Sequence, residues 1–174
     1  MSDEVEIRLA HDDELESVGR LTLDGYVHDG LLTLDAEYAG ELVDAAQRSR
    51  DAELLVALVG GEVVGTVTFC PPGSPLRELS RDGEAEFRML AVSPAARGHG
   101  VARALVERCM ARGRELGLGE LVICSMTEMT TAHRLYERLG FVRDPALDWT
   151  PVPGVVLLAY RCTLQAERAA EFSG

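Results

Sequence analysis

The spacing of apolar and polar positions changes along the chain, and each change marks an element. Val5-Glu6-Ile7-Arg8-Leu9 alternates and predicts a short strand. His11-Asp12-Asp13 offers capping chemistry, and Leu15, Val18, Leu21 and Leu23 follow at helical spacing. Gly25 and Gly30 punctuate a polar segment from Asp24 to Asp29 that carries Tyr26 and His28. A second helix is expected from about Asp35 through Arg48, with Tyr38, Leu42, Val43 and Ala46 facing inward. The apolar run Glu53–Val59, the pair Gly60-Gly61 and the run Val63–Phe69 together predict a hairpin. Pro71 to Gly83 reads as a turn-rich loop outside the core.

A strand is expected over Glu84–Val92, then a helix from about Gly98 with Val101, Leu105, Cys109 and Leu116 on its inner stripe. That helix should stop at Gly117 or Gly119. Leu121–Cys124 predicts a short buried strand, and Thr130–Leu139 a helix stopped by Gly140. Phe141–Arg143 starts another strand. Pro145 to Pro153 is expected to be a loop, Val155–Leu164 a closing strand, and the residues after Gln165 a frayed tail. Strands, helices and a strand–helix–strand crossover predict a three-layer α/β domain with a mixed sheet, a single unit over residues 1–174.

Composition narrows the function classes. A net charge of −12 argues against a nucleic-acid surface, which needs a basic footprint. No apolar run has the ~18–20 residues that span a bilayer, and the acidic N-terminus is unlike a basic signal sequence, so a cytoplasmic protein is expected. Cys70, Cys109, Cys124 and Cys162 form no C-x-x-C pair and read as buried thiols, with no metal site expected. All 17 basic residues are arginine.

Chemistry concentrates in Met89 to Leu105. An apolar strand ends at Ser93-Pro94, and Arg97-Gly98-His99-Gly100 precedes a helix. Free N–H groups of a first helical turn, approached past two glycines, can hold an anion. The same residues also suit a tight turn without a ligand. A Rossmann fingerprint lacks its third glycine and its acidic residue, and a P-loop lacks its Gly-Lys-Ser/Thr.

Arg97-Gly98-His99-Gly100-Val101-Ala102 resembles the R/Q-x-x-G-x-G/A signature of the GNAT superfamily of N-acetyltransferases. Ala132-His133-Arg134-Leu135-Tyr136-Glu137-Arg138-Leu139-Gly140-Phe141 resembles that family's A-x-x-L-Y-x-x-x-G-F segment. The resemblance implies a three-layer α/β/α GNAT-like fold, whose mixed, mostly antiparallel sheet is splayed between the fourth and fifth strands. It implies acetyl-CoA as cosubstrate, with the pyrophosphate on the amides of Arg97, Gly98, His99, Gly100, Val101 and Ala102. The pantetheine would lie along Leu90, Ala91 and Val92, with Ala132 also at the cofactor. The Val92 amide would stabilise the carbonyl oxygen during transfer, a role worth roughly 3 kcal/mol.

By the same resemblance Tyr136 is the general acid for the leaving thiolate; the alternative is a packing tyrosine at a helix end. Glu86 is the candidate general base, since strand alternation over six residues puts it on Val92's face. The alternative is a solvated carboxylate paired with Arg88 or Arg161, and Glu84 could substitute. His99 and His133 are read as bystanders. Ser125 and Thr127 are candidate pantetheine contacts, because Met129 stands where the family often has asparagine.

The expected reaction is direct transfer of acetyl to a primary amine of a small molecule or peptide. The acceptor is expected at Tyr26 to Asp29 and the Pro71–Gly83 loop, where Asp24 and Asp29 lean toward a cationic amine. Trp149 could cover the site, anchor a dimer or pack in the core; family members often form homodimers. The rival reading is a non-catalytic acyl-CoA-binding module of the same fold.

Overall fold

A computed structural model of the chain describes residues 4–30 and 36–164. The tail expected after Gln165 and the expected helix start at Asp35 lie outside the described residues. The elements run β1 (Glu6–Leu9), α1 (Leu15–His28), α2 (Ala36–Val43), α3 (Ala45–Asp51), β2 (Glu53–Val59), β3 (Glu62–Cys70), β4 (Glu84–Val92) and α4 (Val101–Glu115). They continue with β5 (Glu120–Met126), α5 (Thr130–Arg138), β6 (Val142–Arg143), β7 (Trp149–Val152) and β8 (Val155–Thr163). One eight-stranded sheet has the order β1-β2-β3-β4-β5-β8-β6, with β7 also pairing β8. All pairings are antiparallel except β4 with β5. No helix among the described residues is long and apolar enough to cross a membrane.

Alternation along β2 separates the layers. Leu55 and Ala57 join a core with Val101, Leu105, Cys109 and Tyr136 from α4 and α5. Leu54, Val56 and Leu58 face the other way, against Val18 of α1 and Ala45 of α3. A third cluster, Tyr26, Leu42 and Met89, extends that second face toward the β4–β5 junction.

Several expectations change. α1 runs through the Asp24–Asp29 segment as far as His28, because Gly25 and Tyr26 are buried and tertiary packing outweighs glycine's poor helix propensity. The second helix is two, broken at Asp44, whose carboxylate accepts the Gln47 N–H at 3.1 Å and caps α3. That break leaves Val43 exposed. Leu116 is exposed too, since α4 stops at Glu115 and Gly117 takes a φ of +72°. Trp149 begins a strand instead of lying in a loop, with Trp149 opposite Leu157 and Val152 opposite Val155.

β4 carries the decisive irregularity. Opposite it, Thr66 pairs Ala91 and Thr68 pairs Arg88, so three steps on β4 match two on β3. The extra residue is a bulge at Met89, whose φ of +54° is the only positive value at a non-glycine among the described residues. A bulge bends its strand, and β4 pairs β5 only at Glu84–Glu120, Ala85–Leu121 and Glu86–Val122. Beyond Glu86 the two strands part, while β5 stays paired to β8 up to Met126. Arg161 joins the closed end, bonding Glu84, Glu120 at 2.7 Å and Asp144 at 3.1 Å.

Candidate active site

A cavity of about 450 Å³ opens where β4 leaves β5, walled by the end of β4, the start of α4, α5 and the last turns of α1. It brings together Leu90, Ala91, Val92, Arg97, Gly98, Gly100, Val101, Ala102, Ala132 and Tyr136. His99 and Glu86 are not part of this wall.

The backbone of β4 presents the polar groups. Ser93 N–H donates to Val64 O at 2.8 Å, so the adjacent Gly65–Val92 pair is a non-bonded one in the antiparallel ladder. The Val92 N–H and C=O therefore turn away from β3, toward the gap. The Val92 carbonyl accepts from Arg97 Nε at 3.3 Å. Arg97 also clasps Asp29 with both terminal nitrogens, at 2.5 and 3.2 Å. Asp29 and Tyr26, expected to contact the acceptor, line this wall.

The turn into α4 is built from left-handed glycines. Gly98 has φ +84° and Gly100, the N-cap, +77°. A Cβ at either position would meet no heavy atom within 4 Å, so the space before the helix start is open. The first N–H groups of α4 have no carbonyl behind them in the helix. Arg103 and Arg138 join Arg97 on the wall, concentrating positive charge in a chain of net charge −12. The residues present fit a pyrophosphate, with backbone donors, guanidinium groups and open room in one place.

Tyr136 owes its position to the end of α5. Phe141 N–H bonds Tyr136 O at 2.9 Å and Gly140 N–H bonds Glu137 O at 3.1 Å, with Gly140 at φ +96°. This is a Schellman closure, and the Tyr136 and Phe141 rings supply its apolar contact at 5.7 Å between centroids. The spacing Y-x-x-x-G-F thus has a structural cause. Phe87 and Tyr160 pack edge-on at 5.8 Å each. Tyr136 is buried, and burial, aided by the Cys124 and Cys109 thiols and Tyr160, lifts its phenol well above the ordinary range.

Glu86 stands elsewhere. The Met89 bulge breaks the alternation that would have put it on Val92's face: Ala85, Phe87, Leu90 and Val92 face the α4–α5 core, whereas Met89 joins Tyr26 and Leu42. Glu86 is 2% exposed. Its Oε1 accepts the N–H groups of Glu78 (2.8 Å), Leu79 (3.0 Å) and Ser80 (3.0 Å) and the Ser80 hydroxyl (2.9 Å). It is paired with neither Arg88 nor Arg161, and it ties the Pro71–Gly83 loop to the sheet. That loop is anchored again where the buried Ser74 hydroxyl donates to Asp51 O at 2.6 Å. Glu84 is bound to Arg161, which with other hydrogen bonds lowers its pKa against the effect of burial.

His133 is buried, not solvent-facing; its Nε2 lies 3.1 Å from Ser125 Oγ and its ring packs on Tyr160. Ser125 is therefore engaged by His133 on the core side of β5. Met129 lines the cavity where a polar contact was sought. Gly25, Arg103 and Arg138 were missed in the sequence. A glycine inside a long helical run was the available signal for Gly25; the others needed the fold.

A second cavity of about 580 Å³ lies beyond the bulge, between β4, β5 and the β7–β8 hairpin, and includes Arg88, Met89, Cys124 and Met126. Glu78 from the anchored loop and Glu41 from α2 reach it, and Glu78 pairs with Arg88 at 2.6 Å. Burial raises the Glu78 carboxyl despite Arg88, and pushes the Cys124 thiol up to about 11.

A sequence model of the acetyltransferase (GNAT) family matches residues 20–141. The chain belongs to the GNAT acetyltransferase family. Among its relatives, N-acetylaspartate synthetase of Rattus norvegicus is 32% identical over 111 residues, which cover 63% of this chain and 35% of that protein. Mycothiol acetyltransferase of Cellulomonas flavigena is 32% identical over 113 residues, 60% of this chain and 32% of that one. The chain spans about a third of the length of these relatives. A GNAT-family acetyltransferase from Staphylococcus aureus Mu50 superposes with TM-score 0.73 at 13% identity, over 93% of this chain and 100% of the other. An N-acetyltransferase from Thermoplasma acidophilum solved with coenzyme A gives 0.70 at 14%, over 92% and 99%. At such identities the likeness is one of fold, and the three-layer GNAT architecture is shared.

Proposed function

We propose that the chain transfers an acetyl group from acetyl-CoA to a primary amine of a small molecule or peptide, by direct attack in a ternary complex. One observation carries this reading. The end of β4 where it has left β5, the open helix start at Gly98–Ala102 and the Tyr136 side chain border a single cavity. GNAT relatives named for acetyl transfer, and a related fold solved with acetyl-CoA, support the choice of donor.

In this reading the amides of Gly98, His99, Gly100, Val101 and Ala102, with Arg97, hold the pyrophosphate, and Leu90 to Val92 align the pantetheine as an added strand. The Val92 N–H donates to the acetyl oxygen as charge builds on it, where a preorganised donor is worth about 3 kcal/mol. The amine nitrogen bonds the carbonyl carbon, the carbon–sulfur bond breaks, Tyr136 gives its phenolic proton to the departing thiolate, and the proton shed by the nitrogen as it becomes an amide returns through water to the Tyr136 oxygen. A phenol held above its ordinary range stays protonated until that moment. Glu86 is assigned a different part from base, anchoring the loop that carries Glu78.

The test is release of free thiol from acetyl-CoA across a panel of arylalkylamines, polyamines, amino acids, aminoglycosides and peptide N-termini. Amine-dependent release is the expected result. Binding of CoA with no release from any amine would make the chain an acyl-CoA-binding module instead.

A further inference from the structure

The donor cavity accounts for one side of the parted sheet; the 580 Å³ cavity beyond the bulge has no assigned occupant. We infer that this second cavity takes an acceptor amine on an apolar, uncharged body, and that Glu78 receives its ammonium group and removes the proton. The inference rests on the acetyl-transfer reading above.

The walls are chiefly apolar, with Met89, Met126, Trp149, Val155 and Leu157 among them. A volume of this size suits a ligand of drug-like dimensions. The charged groups are Glu41, Glu78 and Arg88, two carboxylates against one guanidinium. Arg88 is already engaged, its Nη2 with Glu78 at 2.6 Å and its Nη1 with the Leu76 carbonyl at 3.1 Å. The excess charge is negative and complements one ammonium. A carboxylate on the acceptor would meet Glu41 and Glu78 and would have to displace an existing bond to reach Arg88.

Glu78 is held for this task from behind. Its N–H and those of Leu79 and Ser80 converge on the buried Glu86 oxygen, which fixes the loop while leaving the Glu78 carboxylate at the cavity. The groups around Glu78 are Arg88 and Glu86 from β4, Glu41 and Tyr38 from α2, Cys70 from β3 and Cys124 from β5. Burial raises its affinity for a proton, Arg88 opposes this, and Glu86 and Glu41 add to it. A carboxylate of raised basicity is a better proton acceptor near neutral pH. The balance is complete: one ammonium proton passes to Glu78, the freed lone pair forms the nitrogen–carbon bond, the thiolate leaves with the Tyr136 proton, and the second proton that the nitrogen sheds on becoming an amide passes through water to restore the Tyr136 phenol. Glu78 then returns its proton to water.

Two measurements on the full chain test this. In the first, wild-type protein is offered phenethylamine and hexylamine beside phenylalanine and aspartate. The apolar amines should exceed the amino acids in kcat/KM by at least ~10-fold, the scale of one misplaced charge. In the second, kcat with phenethylamine is followed against pH. It should fall on the acid side at a pH above the usual glutamate range. Glu78→Gln should lower kcat by ~10²–10³ and remove that limb, while Glu86→Gln should lower kcat but keep the limb. Preference for the amino acids, or an unchanged acid limb in a folded Glu78→Gln protein, would overturn the inference and leave acetyl transfer standing. Silence with every amine would remove both; the wild-type panel does not depend on any variant folding.

Discussion

Arg97, in the turn before α4, holds Asp29 at the end of α1 through two contacts of 2.5 and 3.2 Å. The same guanidinium reaches the Val92 carbonyl through Nε. One side chain therefore ties the first helix, the tip of β4 and the glycine turn into one wall. Replacing Arg97 by Ala should raise KM for acetyl-CoA by ~10-fold or more, the scale of a charge-assisted hydrogen bond. Asp29→Asn, which keeps the arginine, should raise it less. Steady-state kinetics in both variants decide this, and equal KM values in wild type and Arg97→Ala would take Arg97 out of the donor site.

Tyr136 is packed by Phe87, Phe141 and Tyr160, and these contacts use its ring. Tyr136→Phe should therefore melt close to wild type while kcat falls by ~10²-fold, within the range of a lost acid. The phenol pKa is raised, so the acid form persists as pH climbs. Turnover should not decline near pH 10 through this group. A decline there that vanishes in Tyr136→Phe would contradict the assigned environment.

Gly65 gives α4 its close seat on the sheet. A Cβ there would lie 2.8 Å from Val101 Cγ1, 3.1 Å from Leu105 Cδ1 and 3.3 Å from the Ala91 carbonyl oxygen. Gly65→Ala must push the first turns of α4 outward, at a cost of about 1–3 kcal/mol. Thermal melting should register the cost and a raised KM for acetyl-CoA the displacement. Unchanged values of both would mean the helix start is not held at this point.

Glu86→Ala removes the acceptor of three consecutive N–H groups. The loss should reach about 3 kcal/mol, because each buried donor left unpaired costs on the order of 1–3 kcal/mol unless water reaches it. Hydrogen exchange localises the effect: protection should drop at Glu78, Leu79 and Ser80 before any β-strand amide. Protection retained at all three would show that another contact holds the loop.

At the closed end of the gap, Glu84 and Glu120 stand directly opposite each other and Arg161 bonds both. The folded-state pKa of Glu84 is depressed, so its contribution to stability is present above the usual glutamate range and is lost as pH falls through the depressed value. Arg161→Ala leaves like charges face to face and should cost about 1–2 kcal/mol near neutral pH, and less once the carboxylates protonate. Urea midpoints measured at neutral and acidic pH should therefore converge between variant and wild type as pH drops.

Much of this architecture was legible from local pattern. The β2–β3 hairpin follows from two apolar runs around Gly60-Gly61, and the strand Glu84–Val92 was expected with its observed limits. The stop at Gly140 follows from backbone rules that act within a few residues. Two motifs, around Arg97 and around Tyr136, pointed to the family, because their glycines and aromatics answer demands of a left-handed turn and a helix closure. Such demands are short-range, so they are written in the residues that meet them.

The position of Glu86 was not written that way. Six residues of regular alternation would have put it beside Val92, and one bulged residue at Met89 reversed the face. Nothing in the composition of Phe87-Arg88-Met89-Leu90 announces that bulge, whose Met89 side chain packs with Tyr26 of α1 and Leu42 of α2. Nor could the sequence pair Asp29 with Arg97 across 68 positions, or bring Glu78 to Arg88 through a loop that looked peripheral. Sequence alone determined most of the elements, the glycine turns and the family, since these depend on neighbours along the chain. Tertiary structure decided which side of the sheet each charge occupies, because that depends on register and on what packs against it.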